Sequence, residues 1–318
     1  MMQGSGFYVH EEPFCIWDFE TKVTARQFLG GIDTDYFDYL LNLHLSAEDE
    51  KRAAISLRTT LHHALETMFS LIGAFVQAPD CPHAWIPKCN NTTLRRLLEA
   101  IDREDRTLFT KLPIERVSWL QIATQVFRQT DFGSDKSKCT AEKFGILWGR
   151  LSKMALDEDF IDEYNSIKHG FRISSGGFAL AVGLEQTYGQ APPPEEMQLL
   201  GRSEFGSSFL TIGAAREEKG DRNLISKRVA LNWSIEQTVA LLHLVSMSLK
   251  NVVSALKIRN GIKGSECRFH RPVDEKDFDV PWNYSPTVPR MSFNEVIPVE
   301  EIPPLSRKDL ITDFRAIK

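Results

Sequence analysis

Two stretches of this chain place apolar residues every three or four positions, and no other feature narrows the fold as far. Within Ser46–Gln77 the residues Leu57, Leu61, Leu65, Met68, Ile72 and Phe75 recur at that spacing; within Ser234–Gly261, Val239, Leu242, Val245, Leu249, Val252 and Leu256 do the same. At 3.6 residues per turn each set forms one continuous stripe along a helix. Such a stripe is stable only when another element covers it, so both helices belong to a packed core. The ends agree with this assignment. Ser46 and Asp49 have the arrangement of a capping box with Asp in place of Glu, Ser234 and Gln237 form a second box, and Ala78-Pro79 and Asn260-Gly261 close the two helices.

Shorter helices fill the space between. Asp33–Leu45 carries Tyr36, Phe37, Leu40, Leu41 and Leu43; Thr92 or Thr93 starts a helix running to about Glu104; Ile114–Arg128 and Thr140–His169 follow. In the last of these, Gly145 and Gly149 stand four apart and let a neighbouring helix come close. Asp80–Asn91, marked by Pro82 and Pro87, reads as a loop anchored by Trp85, and Asp131–Lys138 as an exposed turn. Beyond Gly170 the texture changes to short β-branched runs separated by Gly, Ser and Pro, which predicts a strand-rich insertion over 171–231. Residues 1–32 read as an irregular arm whose Phe14, Ile16, Trp17 and Phe19 pack back on the body, and the Pro-containing 262–318 as an extended tail. The expected fold class is therefore mainly α: a helical bundle over 33–261 interrupted by the small β-rich insertion.

Charge and cysteine content restrict the partners. A net charge of −5 rules out a surface that is basic throughout, so contact with a nucleic acid requires a local basic cluster. The five cysteines are scattered without paired metal-site spacing, which points to reduced thiols, and Cys81, His83 and Cys89 lack a partner pair of ligands. Met1–Glu12 has acids and glycines where a signal peptide carries a basic start, and Thr238–Leu249 falls short of the roughly 20 apolar residues that cross a bilayer. A cytoplasmic protein without a membrane partner is expected. The chain contains no Gly-x-Ser-x-Gly elbow, phosphate loop, dinucleotide fingerprint or His-Glu-x-x-His.

Candidate chemistry gathers at Asp157–Gly170, where Tyr164, Asn165, Lys168 and His169 crowd a helix exit and Arg172 lies just beyond. Two readings fit. In one the helix simply ends: Gly170 takes the left-handed position, and Lys168 and His169 sit near the negative end of the helix dipole. In the other, Asn165 and His169 share one face, flanked by Tyr164 and Lys168, and converge on a ligand. Along the first stripe Arg58, His62 and Glu66 are spaced four apart, with His63 adjacent. They form either a polar edge in which His62 pairs with Glu66, or donors lent to the same pocket by a facing helix. The acidic pairs Asp157-Glu158 and Asp162-Glu163 read as solvated surface charge.

The heptapeptide Tyr164-Asn165-Ser166-Ile167-Lys168-His169-Gly170 resembles the polar helix-end motif of HEPN domains. These compact helical bundles include metal-independent ribonucleases of bacterial toxin and phage-defence systems. In that family an arginine precedes a polar residue, often asparagine, and a histidine follows four residues later. Asn165 and His169 match, and Tyr164 stands in the arginine's place; Arg58 and His63 satisfy the bare arginine-to-histidine spacing, with Thr59 in the asparagine position. The resemblance implies a HEPN-like bundle, a homodimer pairing two motifs, and an RNA or nucleotide partner, with no metal or cofactor. On that view His169 is the general acid/base at a ribose 2′-OH, since an imidazole ordinarily titrates near neutrality. Asn165 orients a water or phosphate, while Lys168 and Arg172, with Arg58 or His62 lent by a facing helix, neutralise developing phosphate charge. The alternative of a different class is a domain without catalysis that binds a nucleotide, RNA or protein in a regulatory role.

Overall fold

Both long stripes pack into the core as their spacing requires, all their residues buried except Val239, which is half-buried. In the computed structural model, which describes residues 4–17, 20–130, 132–214 and 224–297, the chain divides into two units. One comprises Met1–Tyr164 with Trp233–Ser285, the other Asn165–Asn232 with Pro286–Lys318. The protein is mainly α, with ten α-helices and three small sheets among the described residues.

The first unit opens with a hairpin, β1 (Ser5–Val9) and β2 (Glu12–Ile16), followed by α1 (Thr21–Gly30). Within the expected irregular arm of 1–32, the described residues thus form a hairpin and a helix. Local pairing explains this: Val9 faces Glu12 across a two-residue turn in which His10 takes a φ of 57°. Phe14 and Ile16 pack on the core as predicted, Trp17 is exposed, and Phe19 lies outside the described residues. Next come α2 (Tyr36–Leu45), α3 (Glu50–Gln77), α4 (Pro82–Lys88) and α5 (Asn91–Asp102). Caps fall on acceptors near those expected. Asp49, not Ser46, accepts the Arg52 N–H at the start of α3, and Asn90, not a threonine, accepts the Thr93 N–H at the start of α5. The supposed loop before α5 holds a helical turn begun by Pro82, whose missing N–H costs nothing at that position. Trp85 anchors it as expected, fully buried, with its Nε1–H donated to Gln77 Oε1. Gln77 Oε1 also accepts the His10 N–H, which ties the hairpin to the end of α3.

After a long connection, Ser118 caps α6 (Trp119–Val126), so this helix is shorter than the expected Ile114–Arg128. The predicted Thr140–His169 helix is two helices, α7 (Ser134–Leu156) and α8 (Glu158–Lys168). Asp157 separates them: its backbone turns extended, with ψ at 127°, and its side chain accepts the Phe160 N–H, ending one helix and capping the next. The central helix α9 (Ile235–Arg259) is capped by Ser234 as predicted, and α10 (Val280–Asn283) follows. In length and hydropathy α9 could cross a membrane, yet 72% of its apolar window is buried within the protein, which makes it a core helix.

The second unit contains β3 (Ile173–Ser175), β4 (Ala179–Val182), β5 (Gln198–Arg202), β6 (Gly206–Ala214), β7 (Leu224–Asn232) and β8 (Arg290–Ile297). An antiparallel sheet runs in the order β3-β6-β7-β8, and β4 pairs with β5 separately. The expected insertion therefore recruits a strand from the expected tail. That tail is not uniformly extended, since residues 264–283 contain short helical turns and α10; its residues 298–318 lie outside the described residues. The side-chain amide of Asn232 bonds the Phe178 N–H and C=O and the Val288 C=O, joining three segments of the unit.

Gly145 and Gly149 do let a helix approach. A Cβ on Gly145 meets the Leu120 backbone at 2.9 Å, whereas one on Gly149 meets the Trp119 ring at 3.3 Å. Gly145→Ala is expected to cost about 1–3 kcal/mol despite its gain in helix propensity, and Gly149→Ala distinctly less, in urea unfolding followed by circular dichroism. Equal midpoints for the two variants contradict this packing.

Candidate functional site

Helix α8, begun by the Asp157 cap, places Phe160, Glu163 and Tyr164 three and four residues apart, on the face that turns inward. From α3, Arg58, His62 and Glu66 come forward at successive turns. Glu163 is the hub where they meet. Its side chain is fully buried, and Oε2 accepts from Arg58 Nε at 2.9 Å, Arg58 Nη2 at 2.8 Å and His62 Nε2 at 3.1 Å. Oε1 accepts from Trp233 Nε1 at 3.2 Å. The guanidinium carbon lies 4.9 Å from the Phe160 ring centre and 5.6 Å from that of Trp233, so aromatic faces complete its surroundings.

His62 is sandwiched between Phe160, with ring centres 3.9 Å apart, and Tyr164, stacked at 4.9 Å with planes 6° apart. Burial pushes its pKa below the usual histidine value and prevails over the opposing pull of Glu163. The ring is therefore neutral near pH 7, with Nε2 carrying the proton donated to the carboxylate. Tyr164 donates its hydroxyl to Glu66 Oε2 at 2.9 Å. Burial first, and then the Glu66 charge and hydrogen bond, hold that phenol protonated, well above its ordinary pKa. The polar-edge expectation is thus corrected in its partners: His62 pairs with Glu163, and Glu66 takes Tyr164. The expectation that Asp162-Glu163 is surface charge fails at Glu163.

Arg58, His62 and Tyr164 are brought together in the first unit, whereas Asn165, Lys168, His169 and Arg172 fall in the second. There the helix unwinds through two residues with positive φ, Gly170 at 108° and Phe171 at 52°. The Phe171 N–H bonds the Ile167 carbonyl and the Arg172 N–H the Ser166 carbonyl at 2.7 Å, so the chain folds back over its last turn. Asn165 is half-buried; Lys168, His169 and Arg172 are exposed. So is Phe171, at 60%, a residue sequence reasoning passed over. The signal was its place among basic neighbours directly after the glycine. No protein-family model matches the chain, and no curated protein and no solved structure matches it either.

Two outcomes follow from the buried cluster. Glu163→Ala strands a guanidinium without its counter-ion and is expected to destabilise the protein by about 3–5 kcal/mol, read as a lowered urea midpoint; an unchanged midpoint contradicts the cluster. The depressed pKa of His62 predicts that, as pH falls through the ordinary histidine value of 6.5, the unfolded chain binds a proton the folded ring refuses, so stability drops. His62→Gln is expected to flatten that slope in unfolding midpoints measured between neutral and mildly acidic pH, and an unaltered slope excludes His62 as its source.

Proposed function

We propose that this chain is a HEPN-like cytoplasmic protein that binds single-stranded RNA at the exit of α8, in a regulatory role without cleavage. The observation that carries the reading is the exposure of Lys168, His169, Phe171 and Arg172 around one helix end. A helix C-terminus is partly negative, so a phosphate backbone there must be held by basic side chains and not by backbone dipoles. Phe171 adds a flat apolar face on which a base can stack, and basic groups interleaved with an aromatic suit single strands better than duplexes. Absence of cleavage is favoured by Tyr164, which occupies the family arginine's place with its hydroxyl engaged by Glu66, and by Arg58, whose guanidinium is held by Glu163. The family resemblance further implies a homodimer pairing two such exits.

A second reading, a metal-independent endoribonuclease, is favoured by the exposed His169 one turn beyond Asn165. That histidine would serve as general acid/base at the 2′-OH, with Lys168 and Arg172 meeting the phosphate charge. One experiment separates the two. Labelled single-stranded RNA is titrated in chelator across a range of salt, with the RNA inspected on a gel. Phe171→Ala is expected to weaken binding by about 1–3 kcal/mol, and Lys168→Ala and Arg172→Ala each to lower the salt slope by about 0.7. Affinity unaffected by all three substitutions sinks the binding proposal, and chelator-resistant cleavage lost in His169→Ala replaces it with the nuclease.

A further inference from the structure

The first unit contains a pocket of about 70 Å³ beside the buried cluster, enclosed by residues of α3, α5, the end of α7 and α8. Its walls are apolar: Leu65, Phe69, Leu94, Leu98 and Phe160 are all buried, and Ala155 closes one side. Polar atoms enter from two directions. Glu66 and Tyr164 reach the pocket already hydrogen-bonded to each other. Asn91 and Arg95, four apart on α5, come from the other side; Asn91 is exposed and marks the mouth, and Arg95 is half-buried one turn further along.

Arg95 is the unexplained group. It is half-buried, it lines an apolar space, and among the described residues it makes no hydrogen bond or ion pair. A guanidinium offers five donors in a planar fork, and holding it partly out of water without an acceptor is unfavourable. The acceptor that fits is a carboxylate, which takes two parallel N–H bonds from that fork. A dianionic phosphate fits less well, because Glu66 puts an acidic side chain in the same wall and only one cation is at hand. Volume limits the rest of the molecule. A cavity of about 150 Å³ accommodates benzene, so one about half that size takes an alkyl tail of about three or four carbons.

We propose that this pocket binds a short-chain aliphatic carboxylate, its tail among the leucines and phenylalanines and its carboxylate on Arg95. The site is independent of the helix exit to which RNA binding is assigned, and it falls or stands separately. Burying the tail releases water from apolar walls, and the ion pair with Arg95 fixes orientation. Selectivity against the matching amide follows, because a neutral head group leaves the guanidinium charge unmatched.

Calorimetry on the full chain tests this with butyrate, valerate and isovalerate, their amides, and inorganic phosphate. At least one carboxylate is expected to bind at millimolar concentration or below. The corresponding amide is expected to be weaker by about tenfold to a hundredfold, the value of a charge-assisted hydrogen bond. Arg95→Gln is expected to reduce carboxylate affinity by a similar factor, and Ala155→Leu, which fills the pocket from a different helix, to remove it; both are checked for folding by circular dichroism. Amide binding as tight as carboxylate, full affinity in Arg95→Gln, or no binding by any of the three acids overturns the proposal. Phosphate binding that depends on Arg95 and persists in Ala155→Leu also overturns it, by showing a surface anion contact.

Discussion

A carboxylate removed from water requires nearly all of its charge to be matched by donors, and Glu163 meets that requirement with three side chains from two other parts of the first unit. Arg58 and His62 come from α3, and Trp233 immediately precedes the Ser234 cap of α9. One acidic residue therefore fixes how α8 lies against α3 and where the chain re-enters the unit before α9. Hydrophobic burial supplies most of the favourable free energy of such a core but is indifferent to small rotations of a helix. Directional bonds to a single carboxylate are not. The cluster thereby sets the rotation of α8, and with it which residues face inward and which emerge at the exit.

That rotation decides which side chains reach solvent. With Glu163 inward, Tyr164 follows it far enough to stack on His62 and bond Glu66, which leaves the side chain half-buried and its hydroxyl engaged. Three and four residues later, Ser166 and Ile167 are still buried, whereas Lys168 and His169 are exposed. The boundary between structural and accessible chemistry thus falls inside the heptapeptide that resembles the HEPN motif. Arginine in the place of Tyr164, which stacks on His62, would add a second cation to a cluster that already holds Arg58. The tyrosine avoids that repulsion, which gives a physical reason for its presence.

What the sequence disclosed, and what it concealed, divides along the same line. The stripes of α3 and α9, the Ser234 cap and the close approach at Gly145 were readable because periodicity and small residues report packing directly. Asp49 and Asn90 displaced the caps expected at Ser46 and Thr92 or Thr93, because several acceptors stood within a few residues and only one lies where the helix turn begins. The hairpin at the N-terminus was hidden by its turn, His10-Glu11, which lacks the Asn-Gly or Asp-Gly signature. Glu163 was hidden by Asp162, since two adjacent acids look like a solvated edge. Its register was nevertheless visible: it lies three residues after Phe160 and four before Ile167, both apolar and both buried. A charge in step with apolar neighbours is a better sign of burial than its own identity is of exposure.

Three arginines show how far side-chain type falls short of role. Arg58 is neutralised by a carboxylate and enclosed by aromatic rings, so its charge serves the fold. Arg172 stands in water, where its charge is screened and becomes useful only to a partner that brings several phosphates at once. Arg95 lies between these limits, partly withdrawn from solvent and, among the described residues, without an acceptor. Only that intermediate state creates an appetite for a single small anion. In full solvent the ion pair is too weak to hold a small ligand, and in full burial with a counter-ion no charge is left to offer. Spacing and composition treat the three alike; desolvation distinguishes them, and desolvation is a property of the folded chain.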